Sequence, residues 1–85
     1  MDYVFTPGAT SDLKKFNIST RRKIIKKIKF YLSTPSPLSF AKTLTNSPYG
    51  TYRFRVLGKV RVIFILESKK SRIVITRIRF RKDAY

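Results

Sequence analysis

The sequence predicts an α+β fold, with two N-terminal helices packed on one face of a small, mainly antiparallel sheet of about four strands, a typical sheet size. Two changes of pattern predict it. Apolar residues recur at helical spacing between positions 9 and 32, then alternate with polar ones between 51 and 80. Prolines and glycines fall between these periodic segments, where they punctuate the chain.

Residues 2–6 are rich in strand formers (Tyr3, Val4, Phe5) and form a first strand that Pro7-Gly8 ends. Ala9, Leu13 and Phe16 share one face of a short helix. Asn17 breaks the chain, and Ser19 or Thr20 is the expected N-cap of a second helix running to about Leu32. Its apolar stripe is Ile24, Ile25, Ile28, Tyr31 and Leu32; Arg21, Arg22, Lys23, Lys26, Lys27 and Lys29 populate the rest, a spread that a solvated face explains as well as a binding one. Pro35 and Pro37 make residues 33–39 a crossing loop, pinned to the core by Leu38, Phe40, Ala41 and Leu44. Residues 46–50 read as a turn. Strands follow at 51–57, 59–67 and 72–80, joined by turns at Gly58 and at 68–71. Such short connections predict an antiparallel meander. The 85 residues form a single domain, 1–85, without repeat or linker.

Twenty Lys and Arg against four Asp and Glu leave a net charge of +16. A compact chain so charged repels itself and calls for an anionic partner: nucleic acid, an anionic membrane, an acidic protein, or the ribosome, which combines the first and third. Cysteine and histidine are absent, which removes disulfides, thiolate chemistry and the commonest general base and metal ligand. The carboxylates, Asp2, Asp12, Glu67 and Asp83, are scattered, whereas a two-metal nuclease needs several together. No cofactor is therefore expected. No secretory signal is visible, and the longest apolar run, 62–66, is too short for a bilayer. A soluble, cytoplasmic protein is the expectation, with no membrane partner.

The chemistry sits on the strands. Arg53 and Arg55 fall opposite Tyr52, Phe54 and Val56. Arg61 shares a face with Ile63 and Ile65, and Arg77, Arg79 and Arg81 line one face of the last strand. Strands lie about 4.8 Å apart, so these arginines can converge on one solvent-facing patch. Guanidinium groups match phosphate oxygens in pairs, which makes a polyphosphate the natural anion.

Tyr52-Arg53-Phe54-Arg55-Val56, Gly58 and Arg61-Val62-Ile63-Phe64 resemble the second and third strands of the RelE/ParE toxins. The ending Arg79-Phe80-Arg81-Lys82-Asp83-Ala84-Tyr85 resembles their last strand and terminal tyrosine, and the helical hairpin and the 41–44 segment agree in order. The resemblance implies the toxin of a type II toxin–antitoxin pair, with an acidic cognate antitoxin. In RelE-like members it further implies metal-independent mRNA cleavage on the ribosome, by attack of a ribose 2′-hydroxyl on the adjacent phosphate. Carried over by position, Arg61, Arg79, Arg81 and Tyr85 are the implied catalytic residues. Arg53 and Arg55, with neighbouring Lys59, are the implied RNA-binding ones. Val60 and Phe80 stand where relatives commonly carry tyrosine and histidine. Two other readings remain: a ParE-like inhibitor of DNA gyrase with the same fold and no nuclease activity, and a non-enzymatic basic nucleic-acid-binding module.

Overall fold

A computed structural model describes residues 1–48 and 50–83. It has two α-helices and a five-stranded sheet: β1 (Asp2–Phe5), α1 (Pro7–Lys14), α2 (Ile18–Ser33), β2 (Ala41–Thr43), β3 (Tyr52–Val56), β4 (Val60–Glu67) and β5 (Arg72–Phe80). Short 3-10 turns occupy Pro37–Phe40, Ser68–Lys70 and Arg81–Asp83. The sheet order is β1-β5-β4-β3-β2, antiparallel except for the parallel β1–β5 pair. The expected meander is thus present, and the sheet gains a strand over the four expected. Ala41, Lys42 and Thr43 do more than pin a loop; they pair with Phe54, Arg53 and Tyr52 along the outer side of β3. Three residues are too few for an alternation pattern to show, so pairing decides this strand.

Thr6 caps α1, its hydroxyl accepting from the Ala9 N–H at 3.1 Å, and Pro7 enters where a missing N–H costs nothing. The N-cap of α2 is Asn17, whose side-chain oxygen accepts from the Thr20 N–H at 2.8 Å. The helix therefore starts ahead of the expected caps Ser19 and Thr20. Phe16 lies just past the end of α1 and is nevertheless buried. The Arg21 guanidinium donates to its carbonyl at 3.1 and 3.3 Å and so closes the corner between the helices.

Both helices pack on one sheet face. Ala9, Leu13, Ile24, Ile28 and Leu32 meet Phe54, Val56, Val60, Val62, Phe64, Ile73, Ile75 and Ile78 in one core. Tyr31 stands at its centre, 4.8 Å from the rings of Phe40 and Phe54, and its hydroxyl donates to the Arg55 carbonyl at 2.9 Å. Among the described residues no helix is long and apolar enough to cross a membrane.

A bulge sets the two faces of β5. Ile63 pairs with Arg77, but the next residue, Phe64, pairs with Ile75, so Thr76 is extra. The core-facing residues are consequently Ile73, Ile75, Ile78 and Phe80, with a three-residue step where strict alternation would put Thr76 in line with Ile78. Thr76 instead donates its hydroxyl to the Ile63 carbonyl at 3.2 Å.

Burial pushes the Tyr31 phenol above its ordinary value. A raised folded-state value stabilises the protein fully below pH ~10, the value in the unfolded chain, and this contribution is lost as pH rises through the folded-state value. Tyr31→Phe should cost about 1 kcal/mol at neutral pH through the lost bond to Arg55. The gap between the two proteins should narrow above pH ~10. Urea melts of both proteins at pH 7 and above 10 check this, and a pH-independent difference would contradict it.

Candidate nucleic-acid interface

The sheet face away from the helices is divided along its length. At one end Asp2, Arg72 and Glu67 are partners across β1, β5 and β4, and the Arg72 Nε–H reaches Glu67 at 2.6 Å. Beside them Val4, Val74 and Ile65 form an apolar row. The other end is basic. Lys42, Arg53, Ile63 and Arg77 are consecutive partners across β2, β3, β4 and β5, and the next row on that face is Arg55, Arg61 and Arg79. Ile63 has no exposed surface even though no helix covers this face. Its place between Arg53 and Arg77 suits long basic side chains that lay apolar stems over it while their charged heads reach water.

Register brings Arg55, Arg61 and Arg79 together; their environments differ. Arg55 is exposed, and Arg53 and Arg79 are half-buried. Arg61 was expected to face solvent and does not: it is 1% exposed. Its Nη1 donates to the carbonyls of Gly58 and Val60 at 3.3 Å, which ties it to the β3–β4 loop. Central among neighbouring strands, it is sealed by the side chains around it, a burial that alternation along a single strand does not show. Arg81 faces solvent as expected but is not on the strand. It lies beyond β5 in the Arg81–Asp83 turn, exposed, and its N–H donates to the Lys59 carbonyl at 2.8 Å. That bond holds the turn beside the β3–β4 loop, where Lys59, Phe80, Arg81 and Lys82 line a shallow depression of about 530 Å³. The implied Tyr85 lies outside the described residues.

Asp12 is the residue that sequence reading passed over. β1 ends at Phe5, so the second half of β5 would present a bare edge; α1 lies there instead. The Asp12 carboxylate, 3% exposed as a residue, accepts from the Ile78 N–H at 3.1 Å. It also sits 3.6 Å from Arg77 Nη1 and 3.7 Å from Arg79 Nε. One buried acid thus replaces a missing strand and orients two arginines. Its only sequence signal was rarity, a lone acid on a helix of a strongly basic chain. A depression of about 470 Å³ opens beside it, lined by Asp12, Lys15, Phe16, Ile78, Arg79 and Phe80. Glu67 being engaged with Arg72, no three potential metal-ligating side chains gather among the described residues.

Fold and geometry together define a class: a small α+β domain of RelE type, with a helical hairpin on one sheet face and a basic row on the other. No protein-family profile matches the chain, and no curated protein does. Among solved structures it is similar to a chain of the toxin–antitoxin complex RelBE2 from Mycobacterium tuberculosis, at 27% identity and a TM-score of 0.80. The match covers 96% of this chain and 92% of that one. This likeness, over nearly the whole of both chains, supports placing the fold in the RelE-like toxin superfamily.

Two substitutions separate support from surface. Arg61→Ala should destabilise the domain by about 2 kcal/mol, since it strands two carbonyls and empties a filled site. Asp12→Ala should cost a comparable ~2 kcal/mol, and Asp12→Asn clearly less, because an amide oxygen still accepts from Ile78. Urea unfolding measures all three, and equal losses for the two Asp12 variants would refute the edge-capping role.

Proposed function

We propose that this toxin of a toxin–antitoxin system is an endoribonuclease that cuts mRNA on the ribosome without a metal ion, and that a cognate acidic antitoxin silences it. The observation that carries the reading is the cross-strand row Arg55–Arg61–Arg79, joined at its end by Lys59 and Arg81. Like charges directly opposite on neighbouring strands repel, and an anion between them relieves the cost. The fold match to a chain of a toxin–antitoxin complex supports both the toxin reading and the antitoxin partner.

Roles follow from exposure. Arg55 and Arg81, open to solvent, take the phosphates of the strand, with Lys59 and half-buried Arg53 extending the grip. Arg79, steadied by Asp12, faces the scissile phosphate. Arg61 acts from below, its buried charge raising the positive potential of the row. Arginine hardly deprotonates, so these residues stabilise charge and do not serve as bases. The 2′-oxygen bonds to phosphorus, the bond to the 5′-oxygen breaks, and the products carry a 2′,3′-cyclic phosphate and a 5′-hydroxyl. The 2′-hydroxyl proton goes to a base, Tyr85 serving to orient or deprotonate that hydroxyl, and the 5′-oxygen takes up a proton from water as it leaves.

Primer extension on translating ribosomes, with the ends of the fragments identified, tests the reading. Cuts leaving 5′-hydroxyl ends are expected, and Arg55→Ala and Arg81→Ala should each lower the rate by roughly 10²-fold, as for loss of one charge-stabilising donor. Both residues are exposed, so both variants should fold. Binding to single-stranded RNA should weaken with salt at a log–log slope of about −0.7 per neutralised phosphate. Intact mRNA together with inhibited gyrase supercoiling would overturn the ribonuclease and favour the ParE-like alternative.

A further inference from the structure

On the helix side of the sheet, opposite the arginine row, α2 and the β3–β4 loop line a third, smaller groove. Lys23, Lys26, Lys27 and Phe30 follow one another at steps of three and one, which aligns them along one stripe of α2. Together with Leu57 they line about 330 Å³. Phe30 is 52% exposed and Leu57 42%. The Lys27 ammonium lies 4.9 Å from the Phe30 ring centre and 5.1 Å from that of Tyr31, held over the aromatic faces.

Leu57 is the telling residue. Its φ is 54°, in the left-handed region, next to Gly58 at 72°. Asparagine or glycine adopts that conformation readily, whereas leucine adopts it at a cost. An aliphatic side chain at a strained position usually earns its place in a core, yet this one projects into an open groove. The charged side chains that line the groove, Lys23, Lys26 and Lys27, are all cationic. An exposed apolar patch rimmed by one sign of charge is the mark of a binding surface for the opposite sign.

We infer that this groove docks an acidic polypeptide segment, one apolar side chain of which sits against Phe30 and Leu57 while flanking carboxylates meet Lys23, Lys26 and Lys27. The inference rests on the reading that the chain has an acidic protein partner, and it locates that partner's anchor. RNA fits less well: the Lys27 ammonium already lies over the Phe30 ring, and leucine offers no π face for a base to stack on. Because groove and arginine row lie on opposite sides of the sheet, the anchor leaves the row uncovered, and any silencing needs a second stretch of the partner.

The test uses Leu57→Asn, which removes the apolar contact and relaxes the backbone, so its melting temperature should equal or exceed that of the unaltered protein. The probe is whichever short acidic protein the adjoining reading frames encode, titrated by calorimetry; if they encode none, the partner reading falls with the groove. Leu57→Asn should weaken the complex about tenfold, as loss of a central anchor does. Lys23→Glu with Lys26→Glu should weaken it further, while Arg55→Ala, on the other face, should change it less. Poly(U) binding should be unchanged by Leu57→Asn. Full affinity in Leu57→Asn and in the double lysine variant overturns the groove while leaving the partner reading intact. No complex with the unaltered chain overturns both. Loss of poly(U) binding with an unchanged protein complex would make the groove a nucleic-acid surface and overturn the inference.

Discussion

The extra residue at Thr76 lets a single strand serve two incompatible demands. Under the helices, β5 must deliver Ile73 and Ile75 to the core; farther along, it must present Arg77 and Arg79 on the opposite face. Strict alternation cannot do both, since Ile75, Arg77 and Arg79 then share a side. One unpaired residue between Ile63 and Phe64 of the partner strand changes the parity. Everything at the basic end of the sheet depends on that step, because without it either isoleucines meet water or arginines enter the core.

The same strand shows how a chain of net charge +16 tolerates its own cations. Arg77 and Arg79 share Asp12, and Arg72 has Glu67. Arg61, buried by its neighbours, leans on the carbonyls of Gly58 in the β3–β4 loop and Val60 at the start of β4. These local arrangements hold the arginines in place and do not discharge the surface. Arg55, Lys59, Arg81 and Lys82 stay exposed around them. The result is a positively charged row in which like charges stand opposite one another across neighbouring strands.

The helix side carries a different chemistry. There the aromatic ladder Phe40–Tyr31–Phe54–Phe64 ties α2 to the sheet, with ring centres 4.6 to 4.8 Å apart. It ends in exposed Phe30 and Leu57 among lysines. One sheet thus separates a guanidinium surface suited to phosphate from a mixed apolar and ammonium groove suited to an acidic peptide.

What the sequence determined by itself was whatever local periodicity encodes. The stripe Ile24, Ile28, Tyr31 and Leu32, the alternation in Tyr52 to Val56, and the breaks at Pro7-Gly8 and Gly58 were legible because each is a property of a few consecutive residues. The arginines of β3, β4 and β5 could be assigned to faces on the same ground. Whether those faces met as one row was a matter of register between strands far apart in the chain. That decision, like the pairing of the short β2 and the shift at Thr76, belongs to the tertiary structure. So does the fate of single side chains. Arg61 looks like Arg55 along its strand, yet one is sealed and the other open because only one has neighbours on both sides. Asp12 looks like any helical acid until β1 stops short and leaves an N–H of β5 for it to meet. Periodicity says which way a residue points; only the assembled sheet says what it finds there.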